Sequence, residues 1–218
     1  MTPDYDAALF DMDGLLLDTE LIVNQSLRAT ADHFNLQGLE QTFLDMIGFR
    51  GADSQSILER GLDGRVSYET FHEKANSLIR AQLAETIPVK KQVRKLLQHL
   101  NEHQIPCAVA SSTQTILVDK QLTQSDIRQF FKTITGGDQV VNGKPDPEIY
   151  FAAASSLGVD AARCAAFEDS GPGTLAAIAC GATVVQVPDL IEPDALLRSN
   201  GHVIAADIWE GAQAIGLV

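Results

Sequence analysis

The sequence has few cysteines, few aromatic residues and no long hydrophobic run. Its three cysteines, Cys107, Cys164 and Cys180, lie far apart, without a second Cys or a His at ligand spacing. This spacing disfavours both a disulfide framework and a thiolate metal site, so we expect reduced, buried thiols in a cytoplasmic protein. The apolar runs are too short for a transmembrane helix. The acidic start MTPDYDAALF is unlike a secretory signal.

Positive charge is also scarce. The chain has 16 Lys and Arg against 29 Asp and Glu, which gives a formal net charge of −13. Proteins that bind nucleic acids through a broad surface neutralise phosphates with Lys and Arg. We therefore expect no nucleic-acid or membrane partner, and we predict a monomer that acts on a small molecule.

Short apolar segments alternate with longer amphipathic ones along most of the chain. This alternation is typical of βαβ units, with parallel strands and helices on both faces of the sheet. The fold class we predict is α/β, a doubly wound parallel sheet with a Rossmann-like core. The predicted strands are Ala7–Phe10, Cys107–Ala110, Thr133–Thr135, Cys164–Phe167 and Thr183–Val187.

One long segment interrupts the alternation. Between the first and second predicted strands, nearly seventy residues carry helical spacing without a convincing strand. This is too long for a single crossover. We predict an inserted α-helical cap domain over residues 17–86, with residues 1–16 and 87–218 forming a discontinuous catalytic core.

Polar side chains follow four of the predicted strands, at the edge where sites form in doubly wound sheets. Each has an ordinary alternative: an Asp-Gly turn, a helix N-cap, a solvated lysine, or a capping acid. Four such groups at four strand ends are much harder to explain separately. They are Asp11 and Asp13, Ser111 and Ser112, Lys144, and Glu168 and Asp169.

Phosphoryl transfer through an aspartate uses all of these groups. Asp11 is the expected nucleophile, and Asp13 is the expected general acid and then general base. We expect Mg²⁺ to be held by Asp11, Asp13 through its backbone carbonyl, and Asp169. Glu168 would bind the ion directly or through water.

The remaining strand-end groups would hold the phosphoryl group. Ser111 and the backbone N–H of Ser112 are expected to contact its oxygens. The positive charge of Lys144 would neutralise both Asp11 and the phosphate. The cation and the lysine together make the crowding of carboxylates tolerable.

The motifs DMDGLLLDTE, AVASST, GKPDPEIY and FEDSGPG resemble those of the haloacid dehalogenase-like hydrolases. With the helical insert, the chain is similar to the beta-phosphoglucomutase-like branch over almost its whole length. The resemblance implies a mobile cap, Mg²⁺ and phosphate chemistry, because the true dehalogenases lack an aspartate at the position of Asp13. It does not identify the substrate.

The segment IGFRG within the insert is the best candidate for substrate contact, since family members place a specificity loop there. Gly48 and Arg50 would line it, and Arg50 could bind a second phosphate or a carboxylate. The alternative is a surface arginine on a loop. Both interpretations stay open at this point.

Three functions compete. The first is an Mg²⁺-dependent phosphatase acting on a sugar or sugar-alcohol phosphate, where the sugar preference comes from the resemblance alone. The second is a phosphomutase, but Val23 stands where the mutases carry a cap histidine, and Gly51 where they carry an arginine. The third is a non-catalytic binding protein that retains the fold. A phosphate-release assay with Mg²⁺ separates the third from the other two.

Overall fold

The computed structural model describes residues 5–47, 51–85 and 87–218 of the 218-residue chain. Six strands form one sheet: β1 Ala7–Phe10, β2 Cys107–Ser111, β3 Thr133–Gly136, β4 Cys164–Glu168, β5 Thr183–Gln186 and β6 Val203–Ile204. All neighbouring pairs are parallel, in the order β3-β2-β1-β4-β5-β6. The predicted α/β class and parallel sheet are confirmed. The sheet has one strand more than we predicted, the two-residue β6.

Between β1 and β2, the described residues form four helices: α1 Thr19–His33, α2 Glu40–Asp45, α3 Gly51–Leu62 and α4 Tyr68–Glu85. The others follow: α5 Val93–Glu102, α6 Thr115–Gln124, α7 Glu148–Leu157, α8 Gly171–Ala179, α9 Ala195–Arg198 and α10 Ile208–Ala214. None of the described helices combines the length and the apolar character that a membrane span requires.

Side chains on the two faces of the sheet form two separate hydrophobic clusters. Along β1, Ala8 and Phe10 belong to one cluster, while Ala7 and Leu9 belong to the other. This is the alternation expected of a strand. Helices α5, α6 and α10 contribute to the first cluster, and α7 and α8 to the second. Covering both faces leaves the ends of the strands as the accessible edge.

The four helices between β1 and β2 have a hydrophobic cluster of their own. It includes Leu27 of α1, Phe43 of α2, Leu58 of α3 and Phe71 of α4. This separate cluster supports our proposal that residues 17–86 are an inserted cap.

Two chain segments connect these helices to the sheet, and they run side by side. Asp18 N–H donates to the carbonyl of Pro88 at 2.9 Å, and Lys90 N–H donates to the carbonyl of Leu16 at 2.9 Å. The Lys90 ammonium also lies between the carboxylates of Asp18 and Asp189, the latter in the loop after β5. Both connections are therefore fixed to the same edge of the sheet.

Candidate active site

The functional edge lies at the carboxyl ends of the three central strands. Asp11 directly follows β1, while Ser111 and Glu168 are the last residues of β2 and β4. Because β2 and β4 flank β1 in register, their terminal side chains lie on either side of Asp11. Lys144 reaches the same point from the loop before α7. The structure thus brings together the strand-end residues that the sequence predicted.

Lys144 lies at the centre of a buried ionic cluster. Its Nζ is 2.5 Å from Asp11 Oδ1, 2.5 Å from Glu168 Oε1, and 3.1 Å from the carbonyl oxygen of Ala110. Its side chain is only 2% exposed. Burial acts to lower the pKa of Lys144, but Asp11 and Glu168 outweigh it and leave that pKa raised. Lys144 therefore stays charged beside the proposed nucleophile.

Glu168 is fully buried and both of its carboxylate oxygens accept hydrogen bonds. Oε1 accepts from the hydroxyl of Tyr150 at 2.8 Å as well as from Lys144. Oε2 accepts from the backbone N–H groups of Asp169 and Ser170 and from the Ser170 hydroxyl, at 3.0–3.2 Å. The neighbouring Gly173 permits this packing, since a Cβ there would lie 1.9 Å from Oε1.

Tyr150 is a residue of the site that our sequence analysis missed. It is fully buried on α7, and the Lys144 ammonium lies 5.2 Å from the centre of its ring. Burial and then Glu168 raise the pKa of its hydroxyl well above the ordinary value. Tyr150 thus remains a hydrogen-bond donor. The available signal was a tyrosine on an apolar helix face, since a buried tyrosine hydroxyl usually finds a partner.

Three buried carboxylates could hold a metal ion. Oxygens of Asp11, Glu168 and Asp169 lie within 4.8 Å of one another, close to the roughly 4 Å between opposite oxygens around Mg²⁺. The pKa of Asp11 is raised to about 8, and burial is the largest cause. Lys144 lowers this pKa, while Glu168 and Asp13 raise it further. Burial and then Glu168 raise the pKa of Asp169 well above its usual range.

Three carboxylates are thus buried around Lys144, and their mutual repulsion adds to the effect of burial on these pKa values. A hard divalent cation with oxygen ligands fits such a site. Glu20, which is 5% exposed, adds a further carboxylate that raises the pKa of Asp169. We had not singled out Glu20 from the sequence. The turn that carries Asp13 approaches Asp169 closely at Gly14, which has φ +85° and whose added Cβ would lie 2.3 Å from Asp169 Oδ2.

Asp13 is held by three hydroxyl groups. Its Oδ1 accepts from Thr19 at 2.7 Å, and its Oδ2 accepts from Thr113 at 2.7 Å and from Ser111 at 3.2 Å. Ser111 also accepts from the backbone N–H of Thr113 at 3.1 Å. In this arrangement Ser111 and the two threonines orient Asp13. From the sequence we expect Ser111 to contact the phosphoryl oxygens, whereas its hydroxyl donates to Asp13 in the structure.

A cavity of about 1250 Å³ opens from these residues toward the inserted helices. Asp13, Ser112 and Lys144 lie at its reactive end, and residues of α1, α3, α4 and α6 form its walls. Ser112 also lines the smaller pocket between Asp11 and Asp169, where we predicted that its N–H meets the phosphoryl group. Gly48 and Arg50 lie outside the described residues, although the adjoining start of α3 lines the larger cavity.

Comparison with known proteins identifies the family to which the chain belongs. A model of the haloacid dehalogenase-like hydrolases matches residues 8–187. The chain is 31% identical over 176 residues to the phosphorylated carbohydrates phosphatase of Thermotoga maritima, a match that covers 81% of this chain and 82% of that protein. It is 29% identical over 221 residues to hexitol phosphatase B of Escherichia coli K12, with 93% and 90% covered.

Solved structures agree on the fold. A Thermotoga maritima protein provisionally named a beta-phosphoglucomutase is 28% identical to this chain, with a TM-score of 0.78. The match covers 98% of this chain and 99% of that protein. A haloacid dehalogenase family hydrolase of Deinococcus radiodurans, solved with bound phosphate and sodium, is 26% identical. It covers 100% and 99% of the two chains, with a TM-score of 0.79.

Proposed function

The chain belongs to the haloacid dehalogenase-like hydrolases and hydrolyses phosphoric monoesters, and from that premise we propose its cofactor, mechanism and substrate class. It is an Mg²⁺-dependent phosphatase that acts on a small phosphorylated metabolite, a sugar or sugar-alcohol phosphate. The observation that carries the mechanism is Asp11, buried beside Lys144 and two further carboxylates at the edge of the central strands. The names of the sugar and hexitol phosphatases above support the substrate class.

Asp11 is the nucleophile in this proposal. One of its carboxylate oxygens attacks phosphorus, the bond from phosphorus to the leaving alcohol oxygen breaks, and an aspartyl phosphate forms. Lys144, which contacts Asp11 at 2.5 Å, stabilises the negative charge that the phosphoryl group carries during transfer. The N–H of Ser112, which lines the pocket between Asp11 and Asp169, would bind a phosphoryl oxygen.

Asp13 is the general acid and then the general base in this proposal. Held by Thr19, Ser111 and Thr113, it donates a proton to the leaving alcohol oxygen. It then takes a proton from the water that attacks phosphorus, which releases phosphate and restores the Asp11 carboxylate.

Asp11, Asp169 and Glu168 are the residues that would hold Mg²⁺, together with the Asp13 carbonyl. The ion supplies charge neutralisation and orientation of the phosphoryl oxygens when it is bound. Within this group, Glu168 has a second task, because it fixes both Lys144 and Tyr150. Closure of the inserted helices over the site would exclude water other than the attacking one.

Water rather than a sugar hydroxyl is the acceptor in this proposal. Val23 lines the cavity at the position where the resembling mutases carry a histidine, and a valine can neither donate a hydrogen bond nor transfer a proton. A phosphomutase therefore stays the less favoured alternative. Incubation with beta-glucose 1-phosphate, Mg²⁺ and a trace of beta-glucose 1,6-bisphosphate distinguishes them, since a mutase forms glucose 6-phosphate faster than free phosphate.

The Asp11→Asn variant tests the mechanism. The amide is nearly isosteric but cannot attack phosphorus, so phosphate release from every substrate of a sugar phosphate panel should fall by at least about 10³-fold. Asp119→Asn, on the surface of α6, is the matched control and should keep full activity. Substantial phosphate release by pure Asp11→Asn protein would remove Asp11 from the nucleophile role. An inactive wild type would instead favour a binding protein.

A further inference from the structure

The wall of the large cavity opposite the sheet is one face of α4. Tyr68, His72, Asn76 and Arg80 line the cavity at four-residue spacing, which places them on one face of the helix. Phe71, next to this row, is fully buried in the helical cluster. The α4 wall of the cavity therefore combines this polar row with apolar residues, among them Ala75 and Ile79.

A second cation, Lys120 of α6, lines the same cavity as Arg80. The two helices touch where Gln124 Nε2 donates to the Leu83 carbonyl at 2.9 Å. Arg80 precedes Leu83 by about one turn, and Lys120 precedes Gln124 by about one turn. Both line the same cavity, so the structure places two positive charges on facing walls beside the contact.

Neither cation has an ion-pair partner among the described residues of the chain. Two other carboxylates line the cavity, Asp53 and Asp138. Asp138 already accepts hydrogen bonds from the backbone N–H and hydroxyl of Thr115, at 2.6 and 2.8 Å. In a chain with a net charge of −13, two cations that line one cavity without an ion-pair partner among the described residues stand out. They lower the electrostatic cost of bringing an anion into this part of the cavity.

We propose that Arg80 and Lys120 form a subsite for a second anionic group of the substrate. This inference rests on the proposed function and narrows its substrate class to hydroxylated phosphate esters with a second phosphate or a carboxylate. Lys120 is five residues along α6 from Thr115, about 8 Å of helix beyond the loop that carries Ser112. Asp13, Arg80 and Lys120 line the same cavity, so the reactive end and the subsite are open to a single bound ligand.

Matched ester pairs that differ only in the second phosphate test the subsite. We would compare glucose 1-phosphate with glucose 1,6-bisphosphate, and fructose 1-phosphate with fructose 1,6-bisphosphate. For the pairs that are hydrolysed, kcat/KM should favour the bisphosphate by about tenfold or more. The double variant Arg80→Gln/Lys120→Gln should raise KM for the bisphosphate about 10- to 100-fold, since two charge-assisted contacts are lost. The KM for the monophosphate should change less than about threefold.

Lys74→Gln is the control variant, because Lys74 lies on the same helix without lining the cavity. It should leave both KM values unchanged. A wild type without preference for either bisphosphate, or a double variant that retains the preference, overturns the subsite while leaving the proposed phosphatase intact. If no ester is hydrolysed, the proposed function fails, and calorimetric binding of fructose 1,6-bisphosphate to the Asp11→Asn protein decides the subsite. Equal affinity with and without Arg80 and Lys120, or no binding at all, then rejects it.

Discussion

At the scale of single residues, Glu168 connects the catalytic groups to the hydrophobic interior. It accepts hydrogen bonds from Lys144 and Tyr150 on one oxygen and from the start of α8 on the other. A buried carboxylate is stable only when its oxygens are satisfied by donors or charges. The geometry of Lys144 therefore depends on a residue that does not touch the reacting atoms, Tyr150.

Tyr150→Phe tests this dependence. The substitution keeps the ring and removes one donor from Glu168, so we expect unfolding free energy to fall by about 1–3 kcal/mol. We also expect kcat to fall several-fold, with KM nearly unchanged, because Lys144 is less firmly placed. Steady-state kinetics at saturating Mg²⁺ measure the split between kcat and KM.

Tyr5→Phe is the matched control for that prediction. It removes a hydroxyl that donates to the Ile215 carbonyl at 3.0 Å, at the end of β1 opposite to Asp11. Its kcat should equal that of the wild type even if stability falls. A Tyr150→Phe enzyme with unchanged kcat would show that Tyr150 serves packing alone.

At the scale of secondary structure, the start of α8 is packed directly against Glu168. Ser170 caps the helix by accepting from the Gly173 N–H at 3.2 Å, and the absence of a side chain at Gly173 leaves room for the carboxylate. An added methyl group would have to displace Glu168 or shift the helix. The first turn of α8 is thus shaped by the site as much as by helix formation.

We expect Gly173→Ala to disrupt the site. A Cβ at this position would lie 1.9 Å from Glu168 Oε1, so we predict a loss of about 1–3 kcal/mol in stability and a fall in kcat of at least tenfold. Chemical denaturation and steady-state assays provide the two measurements. Gly171→Ala, in the same turn, meets only Leu197 at 3.6 Å and should be tolerated. Equal behaviour of the two variants would contradict the close packing at Gly173.

The secondary structure that the sequence predicted best is the part with a strong local pattern. Apolar segments such as AALF and CAAF coincide with β1 and β4, apart from the terminal Glu168 of β4. Val203–Ile204 escaped prediction because a two-residue strand is too short to show alternation. The hydroxyl donors around Asp13 and the role of Tyr150 could not be predicted from the sequence for another reason. Ser111 and Thr113 are 98 and 100 residues away from Asp13, and Tyr150 is 18 residues away from Glu168. Only the packed structure brings these groups together.

At the scale of the whole molecule, the proposed metal site would couple metal binding to stability and pH. The raised pKa values mean that Asp11 and Asp169 hold protons in the folded, metal-free protein at pH values where the unfolded chain has released them. For Asp11 this window runs from its ordinary 3.8 to about 8. The folded state binds more protons there, so the free energy of unfolding falls as pH rises through the window.

Mg²⁺ should reverse this loss, since its carboxylate ligands must be ionised. We expect Mg²⁺ to raise Tm more at about pH 8.5 than at about pH 6. At 100 times its Kd, the ion adds about 2.7 kcal/mol, a rise of several degrees for a chain of this size. Thermal unfolding with and without Mg²⁺ at both pH values measures the effect. Asp11→Asn should flatten it, and equal Mg²⁺ stabilisation at the two pH values would argue against these ligands.

The position of β1 at the centre of the sheet has a consequence for biosynthesis. Its two neighbours in the sheet, β2 and β4, leave the ribosome much later, and Ser111 and Lys144 are 98 and 133 residues away from the aspartates they contact. Until those segments emerge, the nascent chain carries an unpaired apolar strand that ends in two carboxylates. Pairing over such distances is slow compared with helix formation. The helices between β1 and β2 can therefore form while β1 is still unpaired. A chain arrested before β4 lacks both a central strand of the sheet and two of the acids, and so cannot act as a partial enzyme in the cell.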